Sequence, residues 1–434
     1  MKIKLEDELY FSRNVLTLIT GTTIAQAIPI AISPILTRLY TPEDFGIFAL
    51  YIAIVSLLSV FISGRYELAI MLPQKESDAF HIFIATILIS FSISSILFLI
   101  IFLFHSSIIH LLNNQEVSDW LYFIPLSVLL SGLYQSLNYW TNRHTDYKSI
   151  SKSIVLKSTL NAIFNTSFGF AKLASSGLIV TNIISGFLSF VYLLFKNKAL
   201  FVKRERAINW RKLKNILYEY KQFPLYTMPQ NLLYQGTLQL PIFFIQIFFS
   251  LSVLGFFSLA YRVLATPLSI IGNSLGQVFY QKASLMYTKE KDELYLYIRK
   301  MFGYLLLLSL SIGSVITWYL PDIFQFIFGK RWLGAGEVAQ YLMIYLIFNF
   351  ALGPFTKIYL VSGHNLYYLK WELLRIGAFI LLFGTMYFYG LTDLNDFFLL
   401  FSLLHLLLYM WVAIPILNKN SFIWRENNES IKTI

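Results

Sequence analysis

The sequence predicts an all-α polytopic membrane protein with about twelve transmembrane helices in two six-helix bundles. The prediction rests on the composition, on the spacing of the apolar runs and on the distribution of the basic residues. Hydrophobic residues make up 57% of the 434 residues and charged residues only 13%, whereas a soluble domain has about 45–50% and about 25%. This composition leaves too little polar surface to cover a water-soluble protein, and the mean hydropathy of +0.63 agrees.

Twelve apolar runs have the length of a membrane span. A helix crosses about 30 Å of hydrocarbon in about 20 residues, and polar interruptions separate the runs. The first run follows three acidic residues and lacks a cleavage pattern, so we expect it to be a span rather than a signal peptide. The predicted spans are residues 14–36, 45–64, 82–104, 119–140, 153–171, 177–195, 223–248, 253–278, 301–320, 337–360, 372–390 and 396–417.

The basic residues lie mainly on one side of the predicted spans. The N-terminal segment, the even-numbered loops and the C-terminal tail hold 26 of the 34 Lys and Arg residues, whereas the odd-numbered loops hold 4. Because positive residues are retained in the cytoplasm, both termini are predicted to face inward in the cytoplasmic (inner) membrane. The net charge of +11 therefore indicates topology, and we expect no nucleic acid partner.

The most basic loop, residues 196–222, separates six predicted spans from six. It divides the chain into an N-terminal bundle, residues 1–200, and a C-terminal bundle, residues 201–434, which begins with this basic linker. The favoured interpretation of the linker is a helix that lies on the anionic cytoplasmic leaflet, and the alternative is a docking site for a partner enzyme. Its basic residues include Lys203, Arg204, Arg206, Arg211, Lys212 and Lys214.

A faint internal repeat relates the two halves. Residues 46–50 (GIFAL) open the second predicted span, and residues 255–259 (GFFSL) open the eighth. The preceding spans both contain prolines, namely Pro29 and Pro34 in the first and Pro229 and Pro241 in the seventh. Proline-broken helices at matching positions are typical of a transporter's substrate path. We therefore predict a parallel repeat, with chance similarity between apolar helices as the alternative.

Four basic residues are predicted within the spans: Lys157, Arg262, Lys357 and Arg375. All 23 acidic residues fall in loops or close to a span end. Arg262 lies about 14 Å deep at 1.5 Å per residue, where an Arg costs on the order of 3 kcal/mol. We expect it to face a hydrated central cavity. The alternative is that its guanidinium donates hydrogen bonds to backbone carbonyls at a broken helix. For the other three, snorkelling to the cytoplasmic surface is favoured over ligand binding.

The predicted cavity favours an anionic cargo. A cation exporter usually needs a carboxylate inside the membrane, and we expect none here, whereas Arg binds phosphate or pyrophosphate through paired donors. Cysteine is absent, and the sequence contains neither an HExxH arrangement nor a GxxxxGK[ST] loop. We therefore expect no cofactor, no metal ion and no enzymatic activity.

Four segments carry a resemblance to a known family. They are LTRLYTPEDFG (36–46), GRYELA (64–69), FPLYTMPQNLL (223–233) and LAYRVLATPLSIIG (259–272). In this order they resemble the polysaccharide biosynthesis branch of the multidrug/oligosaccharidyl-lipid/polysaccharide exporter superfamily, the Wzx-type O-antigen and exopolysaccharide flippases. The resemblance extends over essentially the whole chain.

The resemblance implies two six-helix bundles around a central cavity and a function by alternating access. The implied cargo is an undecaprenyl-pyrophosphate-linked oligosaccharide, which moves from the inner to the outer leaflet for assembly of O-antigen, lipopolysaccharide, capsule or exopolysaccharide. The implied partners are this lipid-linked oligosaccharide, membrane lipids, a polysaccharide polymerase and a chain-length regulator. The residues that match the motifs are Arg38, Asp44, Arg65, Glu67 and Arg262.

Five basic residues are predicted to bind substrate, namely Arg262, Arg38, Arg65, Lys157 and Lys357. Arg38 is expected at the outer mouth, where contact with headgroups is the alternative. Arg65 is expected near the cytoplasmic end of the second span, where an ion pair with Glu67 that braces the bundle is equally compatible with the sequence.

Three other functions stay open at this point. A drug or metabolite exporter shares the superfamily, but the expected lack of carboxylates within the spans disfavours it. A polysaccharide polymerase or ligase usually has a large outer catalytic loop, whereas the predicted outer loops are short. A flippase for a peptidoglycan or teichoic acid precursor differs only in its substrate.

Overall fold

The computed structural model describes residues 2–112, 118–198, 209–287, 289–390 and 393–425, and every regular element in these ranges is a helix. The predicted linker residues Lys203, Arg204 and Arg206 lie outside the described residues. The earlier helices are α1 (Lys2–Leu39), α2 (Pro42–Leu58), α3 (Glu76–Leu112), α4 (Ser118–Leu121), α5 (Ile124–Arg143), α6 (Tyr147–Phe170), α7 (Ala174–Lys196), α8 (Trp210–Glu219) and α9 (Met228–Phe248). The later helices are α10 (Leu251–Met286), α11 (Lys291–Phe328), α12 (Leu333–Leu352), α13 (Ile358–Val361), α14 (Asn365–Tyr389) and α15 (Leu394–Leu417).

The chain divides into two compact units, Met1–Gly255 and Phe256–Ile434. In the first unit α6 packs against α1 and α7, α5 packs against α3 and α7, and α9 packs against α2. In the second unit α12 packs against α11 and α15, and α14 packs against α15. The division by packing lies after Gly255 rather than at the basic linker, because α9 packs with the helices that precede the linker.

Eight helices in the described part of the chain are long and apolar enough to cross a membrane, so the protein is a multi-pass α-helical membrane protein. They coincide with the first, third, sixth and eighth to twelfth predicted spans. The other four predicted spans coincide with α2, α5, α6 and α9. Helix α2 has only 17 residues, and the other three carry more polar side chains. The number of twelve spans therefore stays a prediction.

The first helical turns of α2 and α10 contact each other within the first unit. Thr41 caps α2 in a capping box with Asp44, whose carboxylate accepts a hydrogen bond of 2.9 Å from the Thr41 amide. Helix α10 begins after Ser250, whose hydroxyl accepts a hydrogen bond from the amide of Val253. The side chains of Ser252 and Glu43 are also hydrogen-bonded to each other.

The two glycines of the predicted repeat lie at this contact. A Cβ atom on Gly46 would overlap the carbonyl oxygen of Leu251, and a Cβ atom on Gly255 would overlap the carbonyl oxygen of Pro42. Each glycine is the fifth residue of its helix, and each lies against the first residue of the other helix. The two GxFxL segments thus occupy equivalent positions, and their glycines allow the two backbones to approach.

Candidate functional site

A polar cavity of about 450 Å³ lies within the first unit, which is within the usual size range of ligand pockets. Five helices contribute side chains: α2, α5, α6, α7 and α9. Nine of the fourteen lining residues are polar, but Lys157 is the only charged one. The lining residues are Ile52, Val55, Ser56, Ser59, Ser127, Leu130, Ser131, Tyr134, Gln135, Lys157, Asn182, Ile183, Gly186 and Gln235.

Helix α6 places Lys157 well inside the unit. The carboxylate of Asp146 caps the helix by accepting a hydrogen bond of 3.1 Å from the amide of Ser149. Lys157 follows the first helical residue by ten positions, or about 15 Å along the axis. Asn161 donates hydrogen bonds to the carbonyl oxygen of Lys157 (2.9 Å) and to the hydroxyl of Ser185 on α7 (2.7 Å). These bonds fix α6 against α7 next to the cavity.

The ammonium group of Lys157 has no carboxylate within 4 Å in the part of the chain that the structure describes. Its side chain is half-buried and lines the cavity. Snorkelling, the favoured expectation for Lys157, stays a prediction. By contrast, Lys152 on the same helix is exposed and lines a separate groove between α1 and α6. The cavity therefore offers one cation and many neutral hydrogen-bonding groups to an anionic or polyhydroxyl ligand.

Some of the neutral polar groups of the cavity are already oriented by neighbours. The amide of Gln135 donates to the hydroxyl of Ser131 at 3.1 Å, and the hydroxyls of Tyr134 and Ser153 are 2.8 Å apart. The buried hydroxyl oxygen of Ser59, in contrast, has no hydrogen-bond partner among the described residues. Because buried polar groups are usually paired, Ser59 is a group that a bound ligand or water would satisfy.

Two of the predicted site residues, Arg38 and Arg65, have partners close to them in sequence. Arg38 is exposed in the last turn of α1, and its guanidinium donates a 2.6 Å hydrogen bond to the carbonyl oxygen of Pro34. Arg65 has a left-handed backbone, with φ of 62°, and its guanidinium lies 3.2 Å from the fully buried carboxylate of Glu67. Ser63 also hydrogen-bonds to this carboxylate. The geometry of Arg65 fits the bracing ion pair.

The other two predicted site residues, Arg262 and Lys357, belong to the second unit. Arg262 is half-buried in α10, eleven residues after its first residue, or about 16 Å along the axis. Lys357 ends a short 3₁₀ segment and lies along Gly276 of α10, where its Cε atom would be 3.2 Å from an added Cβ. Neither residue lines the cavity that contains Lys157.

Arg375 forms an ion pair with a buried carboxylate, so the expectation that it snorkels is wrong. Its guanidinium lies 2.7 Å from a carboxylate oxygen of Glu372 and 4.9 Å from the ring centre of Trp371. Helix α14 begins at Asn365, so Glu372 is seven residues inside the helix rather than at a span end. Glu372 therefore lies further from its helix end than the predicted span implies, but it does not lie at the middle of α14.

The buried carboxylates of the described residues belong to Asp44, Glu67 and Glu372, and each has a partner inside the protein. Asp44 caps α2, Glu67 pairs with Arg65, and Glu372 pairs with Arg375. The carboxylates that a cationic cargo would need are thus engaged in structural contacts.

The neutral part of the cavity was not predicted from the sequence. Its hydroxyl and amide groups come mostly from α2, α5, α7 and α9, far apart in sequence. The sequence does contain a signal, because α5, α6 and α9 carry several polar residues within otherwise apolar runs. Polar residues on otherwise apolar spans indicate a face that does not contact lipid.

A family model described as "Polysaccharide biosynthesis protein" matches residues 35–337, which is more than half of the chain. The matched region includes the cavity, Arg38, Arg65, Lys157 and Arg262. A comparison with curated proteins finds no match.

Solved structures of MOP-superfamily transporters share the fold. An inward-facing multidrug resistance MATE family transporter has 15% identity and a TM-score of 0.66, over 92% of this chain and 98% of that one. The lipid II flippase MurJ, in an inward closed conformation, has 12% identity and a TM-score of 0.61 over the same shares. A MOP-superfamily transporter from Pyrococcus furiosus Vc1, described as having a binding pocket of reverse polarity, has 16% identity and a TM-score of 0.55, over 93% and 95%.

Proposed function

Because the chain belongs to the polysaccharide biosynthesis protein family, we propose that it is a flippase for undecaprenyl-pyrophosphate-linked oligosaccharides. In this proposal it moves the repeat unit across the cytoplasmic membrane by alternating access, for assembly of O-antigen, capsule or another surface polysaccharide. The observation that carries the proposal is the cavity of the first unit, in which Lys157 is the only charged lining residue and eight others are neutral and polar.

The chemistry of the cavity suits the head of such a substrate. Sugars and phosphates cross hydrocarbon with difficulty, because removal of a polar group from water without replacement costs roughly 2–7 kcal/mol. Hydroxyl and amide side chains such as Ser56, Gln135 and Asn182 replace the water around sugar hydroxyls. The ammonium group of Lys157 supplies a charge-assisted hydrogen bond to an anionic group, while the polyprenyl chain stays in lipid.

Two alternatives make different demands on the site. A drug or metabolite exporter for cations needs an available carboxylate, whereas the buried carboxylates of the described residues are engaged by Thr41, Arg65 and Arg375. A flippase for another lipid-linked cell-wall precursor needs the same chemistry as our proposal, and the structural likeness to the lipid II flippase MurJ makes it the second candidate.

The test is complementation of a strain that lacks this gene, with surface polysaccharide and lipid-linked intermediates both measured. Lys157→Gln removes the charge and leaves a slightly shorter polar side chain, so we expect surface polysaccharide to fall at least about tenfold, the loss of one charge-assisted hydrogen bond. Lys157→Arg keeps the charge and is expected to restore most of the activity. Undecaprenyl-linked repeat units should accumulate when transport fails.

Lys152→Gln is the matched control, because Lys152 is an exposed lysine of the same helix outside the cavity. Normal polysaccharide with Lys157→Gln would contradict the role of this residue. Normal polysaccharide in the deletion strain, together with greater sensitivity to cationic drugs, would favour the exporter. Accumulated peptidoglycan or teichoic acid precursors would favour the second candidate.

Arg262 is proposed as a second substrate-binding cation, on the basis of its depth in α10 and its match to the fourth family motif. Two variants of Arg262 are compared in the same assay: Arg262→Lys keeps the positive charge but not the guanidinium shape, and Arg262→Gln removes the charge. Loss with Gln and rescue with Lys would support recognition of an anion, whereas full activity with Gln would remove Arg262 from the mechanism. Arg38, Arg65 and Lys357 are also proposed to bind substrate, and the guanidinium groups of Arg38 and Arg65 would bind it in addition to their protein partners.

A further inference from the structure

The helix α8 is held tightly against the first unit. Its apolar residues Leu213 and Ile216 are buried. The ammonium group of Lys212 lies 2.5 Å from the carboxylate of Asp78 and 2.8 Å from the hydroxyl of Ser77, both in the first turn of α3. A helix that floats on a membrane surface turns its apolar side toward the acyl chains, whereas α8 turns this side toward α3.

The opposite face of α8 and the residues that follow it expose a mixture of aromatic and basic side chains. The ring-bearing residues Trp210, Tyr218 and Tyr226 are 67%, 70% and 74% exposed. The exposed basic residues are Arg211, Lys214 and Lys221. We call these six residues the α8 stripe.

Helical spacing places three members of the stripe on one side of α8. Trp210, Lys214 and Tyr218 follow each other at intervals of four residues, which puts them on one face. The ammonium group of Lys221 lies 4.0 Å from the centre of the Tyr218 ring, in a cation–π contact that continues this face beyond α8. Leu213 and Ile216 are buried on the other side of α8, so the face that carries the stripe points away from the protein.

The composition and the location of the stripe fit the headgroup layer of a membrane. Trp and Tyr are enriched where hydrocarbon meets water, and Lys and Arg near this level attract anionic headgroups. Helix α8, which carries the stripe, packs beside the first turn of α3, a helix that is apolar enough to span the membrane. On the topology predicted from the basic residues, this end of α3 is cytoplasmic.

We propose that the α8 stripe binds the headgroups of anionic phospholipids. The three basic side chains contact lipid phosphates, and the rings of Trp210 and Tyr218 lie at the level of the glycerol groups. The argument for a lipid occupant is charge complementarity, because the stripe carries three cations and its acidic neighbour within α8 is Glu219. The proposal does not depend on the identity of the transported substrate.

The chain contains no cysteine, so a single label reports the surroundings of the stripe. Gln222, an exposed residue beside the stripe, is changed to Cys and labelled with an environment-sensitive fluorophore. The full-length protein is reconstituted in vesicles of phosphatidylcholine alone or with phosphatidylglycerol at 7:3. Quenching by lipids with a headgroup spin label measures how closely the labelled segment contacts the headgroup layer.

We expect quenching to rise in the phosphatidylglycerol vesicles and to fall again at high salt, which screens the attraction. Joint substitution of Arg211, Lys214 and Lys221 by Gln should remove the rise, since each basic residue near an anionic surface strengthens the attraction about fivefold. The matched control is joint substitution of Lys289, Arg299 and Lys300, three exposed cations of the second unit, which should leave the rise intact.

Equal quenching in the two kinds of vesicle would overturn the proposal and would leave a partner protein as the occupant of the stripe. An equal loss of the rise in the control variant would also overturn it, because net charge rather than the stripe would then be responsible. Unfolding curves in detergent identify a variant that has lost its fold, and a single substitution, Lys214→Gln, then replaces the triple variant.

Discussion

Lys157 and Arg375 are both basic residues inside long helices, but their surroundings differ. Lys157 lines a polar cavity of the first unit and has no carboxylate within 4 Å among the described residues. Arg375 is buried in the second unit, where its guanidinium lies 2.7 Å from Glu372 and stacks near Trp371. Only Arg375 is thus neutralised by the protein itself.

A basic residue in a span therefore has one of two distinct roles. A basic residue that pairs with a carboxylate one helical turn away has a structural role, because the carboxylate compensates the cost of burying the positive charge. A cation in a polar cavity without such a partner retains its ability to bind an external anion. Substitution of Arg375 should therefore affect mainly stability, whereas substitution of Lys157 should affect mainly transport.

The largest effect on stability is expected at the pair in α14. Arg375→Gln leaves the carboxylate of Glu372 buried without its cation, and we expect the free energy of unfolding to fall by about 3–5 kcal/mol. The double variant Glu372→Gln/Arg375→Gln removes both charges and should recover most of this loss. Chemical unfolding of the purified protein in detergent, followed by intrinsic fluorescence, measures the difference. A double variant as unstable as the sum of the single variants would contradict the pairing.

The ion pair between Glu372 and Arg375 was partly predictable from the sequence. Glu372 and Arg375 are three residues apart, a spacing at which side chains meet on a helix. The error lay in the boundary, because the predicted span began at residue 372, whereas α14 begins at Asn365. The polar residues between these positions look like the end of a loop in sequence, and only the packing of α14 against α15 shows that Glu372 is buried.

The cavity was less predictable than the helices. Apolar runs identified the spans because each run is a local property of about 20 residues. The cavity instead depends on contacts between α2, α5, α6, α7 and α9, whose lining residues extend from Ile52 to Gln235. The sequence marked Lys157 as an unusual residue in a span, but the neutral groups around it become a site only through these long-range contacts.

A smaller loss of stability is expected for the ion pair of the first unit. Glu67 is fully buried, but 17% of the Arg65 side chain is exposed, so Arg65 retains some hydration when its partner is removed. We expect Glu67→Gln to lower the free energy of unfolding by about 1–3 kcal/mol. Glu76→Gln is the control, since the Glu76 side chain is 44% exposed beside Arg143 and surface pairs contribute about 0–1 kcal/mol. Equal losses for the two variants would refute the importance of burial.

The smallest effect on stability is expected at Lys157, despite the large effect expected on transport. Lys157→Gln removes a charge that has no ion-pair partner in the described part of the chain, so the free energy of unfolding should change by less than about 1 kcal/mol. Gln135→Glu also tests whether Lys157 binds an external anion, because it adds a carboxylate to the cavity lining. We expect this variant to fold and to transport poorly, since the new anion competes with the substrate for Lys157. If Lys157→Gln unfolded as readily as Arg375→Gln, Lys157 would have a structural role and the contrast between the two cations would fail.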